Sequence, residues 1–219
     1  TKFRGVIMEK ENGKYLYCVI FCGEEKSFGK IGMDNKVVYT IPYLDVAAVV
    51  SDSPMKDYEL TDENTIRHEN VIREVMREFT VVPAEFGTTI MSEKLLKSLL
   101  KKAYCQVKDC LKLVDNMVEL GVKAVIAENT AFADGQKRKD CASDITASLK
   151  IEAKQAVIND LFSGRLILNA SFLVNKERLD IFSDEVSRMQ NKYPALKILY
   201  SGPWAPHNFV YIKIGADGV

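Results

Sequence analysis

Leu166-Ile167-Leu168-Asn169-Ala170-Ser171-Phe172-Leu173-Val174, followed at once by Asn175 and by Leu179, Phe182, Val186, Met189 and Tyr193, decides the fold class. In the first run Leu166, Leu168, Ala170, Phe172 and Val174 alternate with Ile167, Asn169, Ser171 and Leu173, the period of a strand with one strongly apolar face. The second run repeats its apolar residues every three or four positions from an Asn175 cap and is closed by Pro194, the pattern of an amphipathic helix. Working outward, Ile145, Leu149, Ala153, Val157 and Leu161 at four-residue spacing predict a helix stopped by Gly164. Met117 to Ile126 reads as a strand with a bulge or kink at Gly121. Leu196 to Tyr200 and Phe209 to Ile214 read as two strands joined by a rigid turn. The second half is therefore expected to run β-α-β-α-β-β, with helices on one face of a mostly antiparallel sheet, as in ferredoxin-like and other split βαβ folds.

The first half opens with three strands, Tyr15 to Phe21, Lys36 to Ile41 and Val46 to Ser51, separated by Gly-containing turns with room for a short strand. From Thr61 or Asp62 the period becomes helical, with Ile72, Val75, Met76 and Phe79 on one face and His68 beside them. Thr80 to Thr88 is extended and then turns at Gly87, and Pro83 argues for a bulge or a sheet edge. A second helix starts at the Ser92 cap, with Met91 and Leu96 placed to staple its start, and carries Leu95, Leu96, Leu99, Leu100, Ala103, Val107, Cys110, Leu111 and Val114 along one stripe. Asp115-Asn116 ends it. The expectation is an α+β chain of two domains, 1–116 and 117–219, with a mobile loop near 129–144 around the basic cluster Lys137-Arg138-Lys139.

Thirty basic side chains balance thirty acidic ones. Net charge therefore gives no reason to expect nucleic acid or an anionic membrane as partner. No apolar run approaches the ~20 residues of a membrane-spanning helix and no signal-peptide pattern opens the chain, so the expected location is the cytoplasm. The five cysteines are an odd number with no two-residue gap, and read as free thiols. Cys18 and Cys22, four apart on a strand, share a face and read as small buried hydrophobes rather than a metal pair.

No Gly-rich phosphate loop, His-Glu-x-x-His helix or Gly-x-Ser-x-Gly elbow occurs, so no catalytic residue, cofactor or metal is expected. His68-Glu69 is the one suggestive pair. Neighbours on a helix point about 100° apart, however, which reads as a partly buried histidine rather than a base with its orienting partner. In Ser201-Gly202-Pro203-Trp204-Ala205-Pro206-His207-Asn208-Phe209 two prolines and a glycine shape a strand connection. The single Trp204, with Phe209, is expected to fill a core or a domain interface, a partner-binding anchor being the alternative.

Three of these stretches together resemble the gas vesicle protein F/L family. They are Arg67-His68-Glu69-Asn70-Val71-Ile72, then Val82-Pro83-Ala84-Glu85-Phe86-Gly87-Thr88, and then the segment from Ser201 to Val210 with Gly202, Pro203, Trp204, Pro206 and Phe209 in place. Ala47 to Ser51 and Phe172-Leu173-Val174 are similar too, so the resemblance spans nearly the whole chain; it departs from the family pattern at Glu85, Ala205 and His207. The resemblance implies a non-enzymatic accessory protein of gas vesicles with two α+β domains, the second ferredoxin-like. It implies binding to the small hydrophobic major shell protein early in assembly, with some members placed at the gas-facing inner surface of the wall. Either an exposed sheet edge pairing with an extended segment or an apolar groove receiving a helix would serve, and the edges of an α+β protein favour the first. Two other readings remain: a small-molecule enzyme or sensor using His68 or a cysteine, and a scaffold joining other gas vesicle accessory proteins.

Overall fold

A computed structural model describes residues 13–127 and 135–212. Two compact units divide it, one on the residues up to Phe79 and from Pro83 to Asp109, the other on Cys110–Tyr211 with Thr80–Val82. The first contains β1 (Gly13–Phe21), β2 (Ser27–Gly29), β3 (Val38–Tyr43), β4 (Val46–Ser53), α1 (Asp62–Val75), β6 (Thr89–Ile90) and most of α2 (Glu93–Leu113), and β5 (Val81–Pro83) pairs in its sheet. Its sheet is ordered β2-β3-β4-β1-β5, with β6 also on β1. β1 and β4 are antiparallel from Gly13↔Ser53 to Phe21↔Val46, with one register shift between Leu16 and Cys18. Tyr17 is the extra residue of a bulge, and Tyr15 and Tyr17, two positions apart, are both fully buried. α1 starts where its cap predicts, the Thr61 side chain accepting from Asn64 N–H at 3.2 Å, and it buries His68, Val71, Ile72 and Val75. Ser92 likewise caps α2 by accepting from Leu95 N–H at 3.2 Å. The predicted staple is absent, because Met91 is exposed while Leu96 is buried.

The second unit contains β7 (Met117–Ile126), α3 (Gly135–Lys150), β8 (Gln155–Ile158), β9 (Leu166–Asn175), α4 (Leu179–Lys192) and β10 (Leu196–Trp204). Its sheet is antiparallel and ordered β10-β7-β9-β8. A β-α-β-β-α-β chain with this strand order is the ferredoxin-like arrangement. The β9 residues that alternate in the sequence meet their equals on β7, as Val118↔Val174, Leu120↔Phe172, Val122↔Ala170 and Ala124↔Leu168. All eight are buried. α3 and α4 pack on each other and on β9, and the Phe182 ring of α4 lies 5.3 Å from that of Phe172.

Three expectations are corrected here. The helix predicted through Leu161 ends at Lys150, and 155–158 forms β8 instead. Val157 and Ile158 are β-branched and pair with Ser171 and Ala170, so tertiary pairing overrode a fortuitous four-residue spacing. The loop expected near 129–144 lies partly outside the described residues, and from Gly135 onward it is α3, whose buried stripe runs Cys141, Ile145, Leu149. Phe209 to Ile214 is not a strand over its described part. Residues His207–Phe209 form a 3-10 turn, and Phe209 inserts among Val114 and Leu173 instead of joining the sheet.

Candidate functional site

The residues singled out in the sequence fall into two clusters, one in each unit. In the first, α1 places His68 over β1. Its Nε2 lies 3.2 Å from the Ala84 carbonyl and its Nδ1 3.0 Å from the Tyr15 hydroxyl. The carbonyl only accepts, so Nε2 carries the proton, and Nδ1 of the neutral ring accepts from Tyr15 O–H. The Tyr15 oxygen in turn accepts from Gly87 N–H at 3.0 Å. The rings of Tyr15, Tyr17 and Phe86 lie 5.7, 5.6 and 5.8 Å from the imidazole, which is 1% exposed. Pro83 ends β5, and the segment after it is laced to β1 by Ala84 N–H to Tyr17 O at 2.8 Å and Leu16 N–H to Thr88 O at 2.9 Å. Thr88 closes the turn by donating its hydroxyl to Glu85 O at 2.7 Å, and Gly87 supplies the positive φ of +81° that the turn requires. Glu69 sits half-buried beside His68.

Beneath it Tyr17 accepts from Met33 N–H at 2.7 Å and pairs with Ser51 Oγ at 2.9 Å. Burial pushes the Tyr15 phenol up to about 12, the Gly87 bond opposing and Tyr17, Tyr58 and Glu69 adding. Because this folded value exceeds the unfolded ~10, stability is intact below pH ~10 and is lost as pH rises towards 12, by about 2–3 kcal/mol. Tyr15→Phe is expected to flatten that alkaline decline in denaturant titrations at stepped pH, and to cost about 2 kcal/mol at neutral pH by stranding Gly87 N–H.

Burial also raises the Cys18 thiol, and Cys141 is buried. Among the described residues no group of three or more His, Cys, Asp or Glu is arranged to hold a metal ion.

In the second cluster β10 bulges against β7 between Ser201, opposite Gly121, and Trp204, opposite Glu119. Gly202 has φ +119°, a Cβ there would stand 2.8 Å from Glu119 O, and the peptide to Pro203 is cis. Only glycine fits. Trp204 is 37% exposed and donates Nε1–H to Ser201 Oγ at 3.3 Å, so it does not fill the core. Phe209, 8% exposed and packed with Val114 and Leu173, is the anchor. Trp204→Ala is accordingly expected to cost about 1 kcal/mol in a denaturant melt, far below the ~3–5 of a buried aromatic.

Ala205 and Pro206 are buried beside the turn that Asn208 fixes. Asn208 N–H donates to Glu119 Oε2 at 2.9 Å, and its Nδ2 donates to Glu119 Oε1 at 2.5 Å and Ser171 Oγ at 3.1 Å. Sequence reasoning passed over Tyr15, Glu119 and Asn208, whose partners are up to 89 positions away. The one available signal was an acidic residue at a strand position expected to be covered.

The outer edge of β10 is partly closed. Gln190 of α4 donates Nε2–H to Leu196 O and accepts from Ile198 N–H, both at 2.8 Å.

A family model described as "Gas vesicle synthesis protein GvpL/GvpF" matches residues 13–135 and 131–211. Gas vesicle protein F1 of Halobacterium salinarum is 39% identical over 183 residues, 82% of this chain and 84% of its own. Gas vesicle protein F of Haloferax mediterranei is 37% identical over 184 residues, with the same two shares of 82% and 84%. The crystal structure of the gas vesicle protein GvpF from Anabaena superposes with a TM-score of 0.84 at 21% identity, over 95% of this chain and 100% of that one. The GvpF structure from Microcystis aeruginosa gives 0.78 at 20%, over 90% and 98%. At those identities the two structures share the fold.

Proposed function

The chain belongs to the gas vesicle synthesis protein GvpL/GvpF family, and on that premise we propose that it is a non-catalytic partner that binds the hydrophobic major shell protein during assembly. The observation that carries this reading is that the second unit holds large apolar side chains in the open on an ordered sheet, Leu199 at 42% and Trp204 at 37% exposure. Such side chains on a folded surface mark a place of association. A shell subunit that forms a water-excluding wall exposes apolar surface before incorporation, and a partner bound to that state lowers the concentration free to aggregate. Binding of this kind occurs in the cytoplasm and leaves the protein on the gas-facing inner surface of the wall. His68 does not support the small-molecule reading, because it is enclosed by three aromatic rings and spends both ring nitrogens on structural bonds.

The test is co-expression of the tagged chain with the major shell protein, followed by affinity capture. Recovery of the shell protein is expected. Capture of other gas vesicle accessory proteins without the shell protein would replace this reading with that of a scaffold.

A further inference from the structure

Building on the reading that the shell protein is the partner, the geometry points to the face of the β10-β7 sheet opposite α3 and α4 as the docking surface, and to an amphipathic helix of the shell subunit with carboxylates along its margin as the occupant. The register puts Lys197, Leu199, Ser201 and Trp204 of β10 on one face with Val125, Lys123, Gly121 and Glu119 of β7. The opposite face of the sheet is the one beneath α3 and α4. On the near face, the Glu119 end is closed by Asn208, with Phe209 packed against the neighbouring Leu173. From Gly121 outward Lys123 is exposed and Leu199 partly so, and Phe162, whose ring lies 5.1 Å from the Lys123 ammonium, is 72% exposed; Trp204, opposite Glu119, is 37% exposed. Gly121 and Ser201 make a low floor between these aromatic and aliphatic walls.

Charge decides the occupant. The charged residues that β7 and β10 turn to this face are Lys123, Lys197 and Glu119, and the carboxylate is buried and bound to Asn208. Both cations stand at the margin of apolar surface, and neither forms an ion pair among the described residues. A segment with an apolar stripe and acidic flanks complements that pattern, and a helix lying across a sheet is the usual cover for an open face. Strand addition to β10 is opposed, because the Gln190 amide occupies Leu196 O and Ile198 N–H and Pro203 brings no N–H.

Trp204 is the only tryptophan in the chain. Full-length protein labelled with 5-fluorotryptophan therefore shows a single fluorine resonance, at the surface in question. Titration with purified major shell protein is expected to shift or broaden that resonance as the complex forms. Lys123→Glu is expected to weaken binding about tenfold with an unchanged melting curve, and added salt to weaken the wild-type complex. Ile158→Lys, on the outer strand β8, is the control and leaves binding unchanged. A complex that forms with an unaltered resonance overturns the docking surface while leaving the proposed function standing. So does a loss of binding in Ile158→Lys but not in Lys123→Glu, which transfers the contact to the β8 edge. Absence of any complex overturns both.

Discussion

His68→Ala is expected to lower the unfolding free energy of the N-terminal unit by about 3–5 kcal/mol, measured by chemical denaturation. The substitution removes a buried ring and leaves a cavity among Tyr15, Tyr17 and Phe86, which alone accounts for more than half of that loss. It also strands two polar groups, the Ala84 carbonyl and the Tyr15 hydroxyl hydrogen, where no water reaches a position that is 1% exposed. The segment from Ala84 to Thr88 then keeps its bonds to β1 but loses its tie to α1, so amide exchange at Gly87 is expected to accelerate with the loss of stability. A change under about 1 kcal/mol would show that the ring is not the tie between helix and strand that its two bonds make it.

Glu119→Ala carries the second large effect, about 2–4 kcal/mol on the C-terminal unit. The carboxylate is 6% exposed and holds Asn208 through both oxygens, so its loss leaves a backbone N–H and a side-chain amide without their acceptor. The consequence extends to the core, because the turn at His207–Phe209 positions Phe209 against Val114 and Leu173. Double-mutant comparison with Asn208→Ala is expected to give a coupling well above 1 kcal/mol, since the two residues form one unit. Additive losses would contradict that unit.

The fold was legible where local pattern and tertiary role agree. The run from Leu166 to Val174 and the stripe from Leu179 to Met189 form β9 and α4, the alternating residues of β9 lying buried beneath the helices, and the Thr61 and Ser92 caps bond as their chemistry predicts. Legibility failed at 151–158, where β-branched residues at helical spacing had a strand waiting beside them, and at Phe209, whose place is decided by Glu119 far along the chain. The site was less legible still. The sequence reads His68 as partly buried, but the Tyr15 hydroxyl bonded to its Nδ1 lies 53 residues away. The sequence places Trp204 and Phe209 together in a core or a domain interface, with a partner-binding anchor as the alternative, whereas past the bulge at Gly202 Trp204 stands 37% exposed and Phe209 alone is in the core. Neither periodicity nor composition carries the handedness of one glycine.

Light scattering by the purified major shell protein, diluted into aqueous buffer with and without an equimolar amount of this chain, tests the central claim most directly. The account predicts that the wild-type chain delays the rise in scattering and that Lys123→Glu delays it less. An identical rise with and without the wild-type chain would contradict it.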